Sequence, residues 1–157
     1  MIDKGAEFSP TKKYRYRLWR VWNDNKDYLT LILLNPSTAD ANFDDPTIRR
    51  CMGYACDWGY GGIHVINLFA LRATDPSELE RTYDPIGKLN DSVIKEYCGK
   101  DIIAGWGNHG GYLDRAKHVI ELLDCPIMCL KMTKAGHPQH PLYLPKKLKP
   151  MMLEVSE

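Results

Sequence analysis

Three short stretches carry the residue types best suited to chemistry. They are Asn35-Pro36-Ser37 in LLNPSTAD (33–40), Asn67 in VINLFALRA (65–73), and two His-Pro pairs, His137-Pro138 and His140-Pro141, in GHPQHPLYLP (136–145). An amide donates and accepts a hydrogen bond at once, and an imidazole moves or holds a proton near neutral pH. Proline fixes the backbone that carries the amide. Three acids follow Asn35 closely, Asp40, Asp44 and Asp45, and a carboxylate can accept a proton. Lys131, Lys134, Lys146, Lys147 and Lys149 crowd the last stretch, and Arg49, Arg50 and Arg72 could extend that patch; cations so gathered suit phosphates. Each feature also has a structural reading. Asn35-Pro36 makes an Asx-type turn, Asp44 or Asp45 caps a helix, Asn67 ties two loops through backbone bonds, and the lysines form a solvated face. His64 reads as a core residue, His118 as exposed, and His109 as a loop residue or a phosphate contact.

Strands must deliver these residues. YRYRLWRVW (14–22) alternates Arg with aromatic or aliphatic residues and reads as a half-exposed strand. YLTLILLN (28–35), IHVINLFA (63–70), DIIAGWG (101–107) and PIMCLKM (126–132) read as four buried strands. Helices are expected between them. One starts at Pro46, with Ile48, Cys51, Met52, Ala55 and Trp58 facing inward and Arg49 and Arg50 facing elsewhere. Others cover 88–98 and 111–123, the last with Leu113, Ala116, Ile120 and Leu123 on one side; residues 72–87 read as a loop with short helical turns. Alternating strands and helices predict an α/β fold: a three-layer α/β/α sandwich around a mainly four-stranded parallel sheet. In such sheets ligands bind beyond the carboxyl ends of the strands. Asn35, Asn67, Trp106-Gly107-Asn108 and Thr133 through His140 all fall there.

The 157 residues suit one domain over 1–157. Hydrophobic residues make up 44% and charged residues 26%, enough apolar surface for a core and too little charge for disorder. The formal net charge of +1 neither demands nor excludes a nucleic-acid partner. No apolar run is long enough to span a bilayer and MIDKGAEFSP is not a signal peptide, so the expected location is the cytoplasm and no membrane partner is expected. Five cysteines, Cys51, Cys56, Cys98, Cys125 and Cys129, match no zinc or iron–sulfur spacing and read as reduced thiols, with no metal and no cofactor implied.

Together, LLNPSTAD, DDPTIRRC, WGYGG, NLFALRATDP and GHPQHPLYLP resemble a bacterial and phage family first catalogued as a domain of unknown function. Through it, the ordered strand-end segments resemble the uracil-DNA glycosylase superfamily. LLNPS is similar to the Gly-x-Asn-Pro form of the mismatch-specific thymine and uracil branch. VINLFALRA resembles the segment whose Asn reads a flipped base, and AGWGNHG (104–110) resembles the third-strand segment. GHPQHPLYLP resembles the His-Pro-Ser-Pro-Leu motif. The chain departs from that pattern: no carboxylate stands at Asn35, the last motif lacks its Ser, and the stacking aromatic is open between Phe43 and Phe69.

The resemblance implies a monofunctional DNA glycosylase without a cofactor, acting as a monomer on duplex DNA with an everted nucleotide. Asn35 would orient the water, with Asp40, Asp44 or Asp45 as a base. Asn67, Pro36 and Phe43 or Phe69 would hold the base. His140, with His137 as competitor, would hold the leaving base. Ser37, Arg72, Lys134, His137 and Lys146 would touch DNA, and Leu142 and Tyr143 would wedge into the stack or else pack under the last helix. The further likeness to anti-phage glycosylases points to a hypermodified base, such as glucosylated hydroxymethylcytosine. A non-catalytic nucleic-acid module and a nucleotide or nucleoside hydrolase acting on free metabolites, using the Asp40–Asp45 acids with a metal, are the competing expectations; the absence of a His/Asp ligand spacing argues against the second.

Overall fold

A computed structural model describes residues 1–154. Among them, seven strands form one mixed sheet. They are β1 Asp3–Phe8, β2 Arg15–Val21, β3 Tyr28–Leu33, β4 Gly62–Asn67, β5 Ile102–Ala104, β6 Met128–Cys129 and β7 Met151–Met152. Their spatial order is β1-β2-β4-β3-β5-β6-β7. The β4-β3, β3-β5 and β5-β6 pairs are parallel, and the flanking pairs are antiparallel. The expected sheet of four strands is thus extended at both edges. β1 and β7 escape a periodicity reading because they are polar or very short and mostly outside the core.

β3 shows why the sheet is covered on both faces. Leu29, Leu31 and Leu33 join one hydrophobic cluster, and Ile32 and Leu34 join the other. Period-two alternation sends successive side chains to opposite faces. Helix α1, Pro46–Asp57, buries Ile48, Cys51, Tyr54 and Ala55 in the first cluster. Helices α2, Asn90–Tyr97, and α3, Arg115–Leu123, bury Val93, Ile94 and Val119 in the second. Asp45, not Asp44, caps α1: its Oδ1 accepts from the Ile48 N–H at 2.9 Å, with Pro46 in the first turn. α3 starts four residues later than its apolar spacing predicts. Leu113 and Asp114 adopt φ of 56° and 52°, which breaks the helix and leaves Leu113 exposed. Among the described residues, no helix is long and apolar enough to cross a membrane.

β2 is more buried than its alternation implies, and its two buried arginines shape the loop after β3. Arg20 is 0% exposed. Its Nε meets Asp44 Oδ1 at 2.7 Å, Nη2 donates to the carbonyls of Asp40 and Phe43, and Nη1 donates to those of Gly5 and Trp19. One guanidinium thereby holds the 40–44 loop against the sheet. Replacing it with Arg20→Met strips these donors from partly buried carbonyls and leaves Asp44 without its cation, each lost partner costing about 1–3 kcal/mol. Arg20→Met should therefore lower the thermal midpoint by on the order of 10 °C, as read by calorimetry. A midpoint within a degree or two of wild type would show that the loop folds without it.

Candidate functional site

The carboxyl ends of the parallel strands open into a cavity of about 470 Å³, inside the roughly 300–1,000 Å³ range of small-molecule sites. β3 runs out into Leu34, Asn35, Pro36 and Ser37; β4 ends on Asn67; β5 leads to Trp106; and the last loop supplies His140, Leu142 and Tyr143. Asn35, Asn67 and His140 therefore line one hollow. Asp45 and Thr47 line it from the start of α1. β2 runs antiparallel to β4, so its first residue, Arg15, reaches the same edge and the same cavity.

The two asparagines are held in opposite ways. Asn35 donates from Nδ2 to the carbonyls of Ala73 at 2.8 Å and Pro36 at 3.1 Å. Two acceptors on one amide fix which end is nitrogen, so Oδ1 is left as a free acceptor. The turn reading and the functional reading of Asn35 are compatible: the turn orients the amide. Asn67 is 1% exposed, yet neither its Oδ1 nor its Nδ2 has a partner among the described residues. Its backbone is held by others. Asn90 Nδ2 donates to the Asn67 and Leu68 carbonyls, and Arg115 Nε donates to Leu68 O at 2.7 Å. Tying the loops together is thus the work of Asn90 and Arg115, and the Asn67 amide keeps a donor and an acceptor unpaired.

His140 caps a 3-10 turn, Pro141–Tyr143, with Nδ1 accepting from the Leu142 N–H at 3.2 Å. That bond assigns the proton of the neutral ring to Nε2, which remains a donor. Burial pushes the imidazole below its ordinary value, with Asp45 opposing the shift. Its placement depends on two neighbours. A Cβ on Gly105 would come within 2.9 Å of Pro141 Cδ, so a residue without a side chain seats the proline beside His140. The far side of the loop is gripped by α1. Arg50 donates to Leu144 O, Tyr54 Oη to Pro145 O, and Trp58 Nε1 to Leu148 O at 2.9 Å.

Charge is present on the wall. Arg15 is 2% exposed, its Nη1 donates to Ala39 O at 3.1 Å, and its Nε has no partner. Burial lowers its pKa to about 10, with Asp45 opposing and Arg72 and Arg20 adding, so it stays cationic at neutral pH. Asp45 uses Oδ1 for the cap and has no partner on Oδ2 among the described residues. Trp106 is buried with its Nε1–H unpartnered. A Cβ on Gly110 would lie 2.2 Å from the Trp106 ring, so the glycine is what lets the indole lie flat.

Other expected residues lie elsewhere. Asp40 stays outside the lining: its Oδ1 accepts from the N–H groups of Asn42 and Phe43, and these bonds lower its pKa. Phe69 is fully buried in the core, and Phe43 is 53% exposed on the surface; neither lines the cavity. His137 lines a separate hollow of about 480 Å³ between α3 and the 136–138 turn. Lys134 is exposed and lines neither hollow. Arg72 sits in an adjoining hollow that shares Ser37 with the cavity, and Lys146 in another that shares Leu142. Pro36, Ser37, Leu142 and Tyr143 line the cavity, Tyr143 at its exposed rim. His109, read as a loop residue, lines it too. Cys51 and Cys98 are pushed up to about 12 by burial, inert thiols at neutral pH. Among the described residues, no three His, Cys, Asp or Glu side chains gather as a metal site.

Sequence comparison sets this cavity within one family. The family model described as a protein of unknown function, DUF1643, matches residues 15–142, a span that begins at Arg15 and includes Asn35, Asp45, Asn67, Trp106 and His140. No curated protein and no solved structure matches the chain. With most of its length matched, the chain belongs to the DUF1643 family.

Proposed function

We propose that the cavity takes an everted nucleobase and that the protein is a DNA glycosylase, hydrolysing the bond between base and deoxyribose to leave an abasic site. The observation that carries this reading is the Asn67 amide, buried on the cavity wall with donor and acceptor both unpartnered. An orphaned buried polar group costs about 1–3 kcal/mol, and a planar edge that donates and accepts side by side matches it. A base must leave the stack before its glycosidic bond can be reached. The uracil-DNA glycosylase-like three-layer arrangement belongs to the same proposal; the four mutually parallel strands, with helices on both sides, agree with it.

Roles follow from the free atoms. Asn67 pairs with the base edge. The His140 Nε2–H donates to an oxygen of the departing base, which takes the electrons of the breaking bond. Asn35 Oδ1 accepts a hydrogen from the water that attacks the sugar carbon, and Asp45 Oδ2 receives the proton that water loses. The sugar is oxocarbenium-like at that stage, so a carboxylate and an oriented water suffice. The likeness to anti-phage glycosylases favours a hypermodified cytosine as the base. Treating uracil-containing duplexes and DNA bearing glucosylated hydroxymethylcytosine with the protein, then with alkali, should give strand breaks on one of them. Folded protein that binds these DNAs but breaks none would leave a binding module.

His140→Gln should lower turnover by about 100–1,000-fold, the typical cost of one preorganised donor, with DNA affinity within a few-fold of wild type. Equal turnover would remove His140 from the chemistry.

Asn67→Leu removes the orphaned amide at similar volume. It should abolish base release while leaving the thermal midpoint equal or higher, because function and stability oppose each other at such a site. A large drop in the midpoint would instead make Asn67 structural.

The folded pKa of His140 is depressed, so its contribution to stability is complete above the unfolded value, about 6.5, and is lost as pH falls through the folded value. Protonation also ends the Nδ1 acceptance from Leu142. Turnover of wild type should be flat at and above about pH 6.5 and decline only as pH falls through the depressed folded value, and the decline should be absent from the residual activity of His140→Gln. An identical acid limb in both would assign the limb to another group.

A further inference from the structure

Two basic hollows adjoin the cavity on different sides of its lining. One is lined by Lys12, Lys13 and Arg72 with a single acid, Glu78, and it shares Ser37, Ala73 and Thr74 with the cavity. The other is lined by Arg49, Arg50 and Lys146 with a single acid, Asp57, and it shares Leu142 with the cavity. In a chain of net charge +1, three cations against one acid in each of two hollows beside one cavity is a local concentration of positive charge.

From this we infer that one nucleic-acid strand crosses the cavity mouth, with the phosphates on the two sides of the everted nucleotide seated in these two hollows. The inference rests on the cavity's taking a nucleobase, and not on hydrolysis. Arg72 is already oriented for a phosphate. Its Nε and Nη1 donate to the carbonyls of Ser37 and Lys12, both at 3.3 Å, and its guanidinium lies over the Phe8 ring at 5.0 Å. Nη2 is left without a partner among the described residues, and a fixed planar fork suits a phosphate. Lys12 and Lys13 are exposed on the turn joining β1 to β2, where Lys12 adopts a φ of 61°. Across the cavity, Arg49 and Arg50 are moored by one Nη1 each to the carbonyls of Asp44 and Leu144. Lys146 is exposed beside them. By contrast, Lys131, Lys134, Lys147 and Lys149 line neither hollow, so the crowding of lysines in the last fifty residues does not mark the strand's path.

Anisotropy of a labelled single-stranded oligonucleotide, titrated between about 50 and 200 mM salt, tests this on the full chain. Lys12→Ala/Lys13→Ala and Arg49→Ala/Lys146→Ala change only exposed side chains, and Lys131→Ala/Lys134→Ala removes the same charge elsewhere. Each lost phosphate contact on a single strand flattens the log–log salt slope by about 0.7. Both flanking doubles should therefore flatten it by about 1.4, and the control double should leave it unchanged. Slopes unaltered by the flanking doubles, or altered as much by the control, overturn the track. Binding is read without turnover, so the two readings separate. Base release with unaltered slopes rejects the track alone, whereas the expected slopes with no base release reject the hydrolytic reading alone.

Discussion

Two guanidinium groups buried on β2 impose the geometry of the site. A cation out of water is tolerated only where hydrogen bonds replace its hydration. Arg20 meets that need with Asp44 and with the carbonyls of Asp40 and Phe43, and Arg15 with the carbonyl of Ala39. The chain after β3 is therefore obliged to fold beneath β2, and the next residue, Asp45, arrives where it caps α1 and faces the cavity. The demand is not fully met at Arg15, whose Nε stays unpartnered. Arg15 thus sets a cation on the cavity wall, with the Asp45 carboxylate as its counter-charge.

A second clamp works from the opposite direction. Side chains of α1, namely Arg50, Tyr54 and Trp58, reach the carbonyls of Leu144, Pro145 and Leu148, and Pro141 packs against the bare backbone of Gly105. The segment holding His140 is irregular, yet it is anchored on a helix and a strand end. Preorganised donors do their work because they need not reorient when charge develops. The same logic explains Asn67. Its backbone is secured by Asn90 and Arg115, so its side chain can stay unpartnered without the loop loosening.

Much of this was legible in the residues themselves. Apolar runs that end on Asn35 and Asn67, and a His-Pro pair in an irregular tail, already mark one sheet edge as polar. Arg15 was not legible. Between Glu7 and Phe8 the β1-β2 register slips, with Glu7 opposite Arg17 and Phe8 opposite Arg15. The extra residue changes the phase of β2, so Arg15 joins Arg20 in bonding the 39–43 carbonyls despite an odd spacing that predicts opposite faces. Choosing among Asp40, Asp44 and Asp45 was equally beyond pattern, because the irregular connection between Leu33 and Pro46 can present any of them. His137 and His140 diverge for a related reason: Gly136, at a φ of 87°, closes a turn in which its N–H returns to Thr133 O, and the two rings line different hollows. Phe69 was misplaced by its nearness to Asn67, since just past the strand end it packs inward with Tyr112.

Setting aside the hydroxyls of Ser37, Thr47, Thr74 and Tyr143 and the side chains of Asn108 and His109, the unpartnered polar atoms of the lining divide, among the described residues, by chain segment. Acceptors without donors come from the connection between β3 and α1: Asn35 Oδ1, locked by its two carbonyl partners, and Asp45 Oδ2. Donors come from elsewhere: Arg15 Nε on β2, Trp106 Nε1 past β5 and, by tautomer, His140 Nε2. Among the described residues, the Asn67 amide offers both, as the hydroxyls of the lining also do. Hydrolysis that expels an anionic group needs this separation. Acceptors must meet the incoming water, whose protons have to go somewhere, and donors must meet the atom that gains electrons. Under the proposed function, the ambivalent amide would adapt to whichever edge a base presents, leaving selectivity to the shape of the walls.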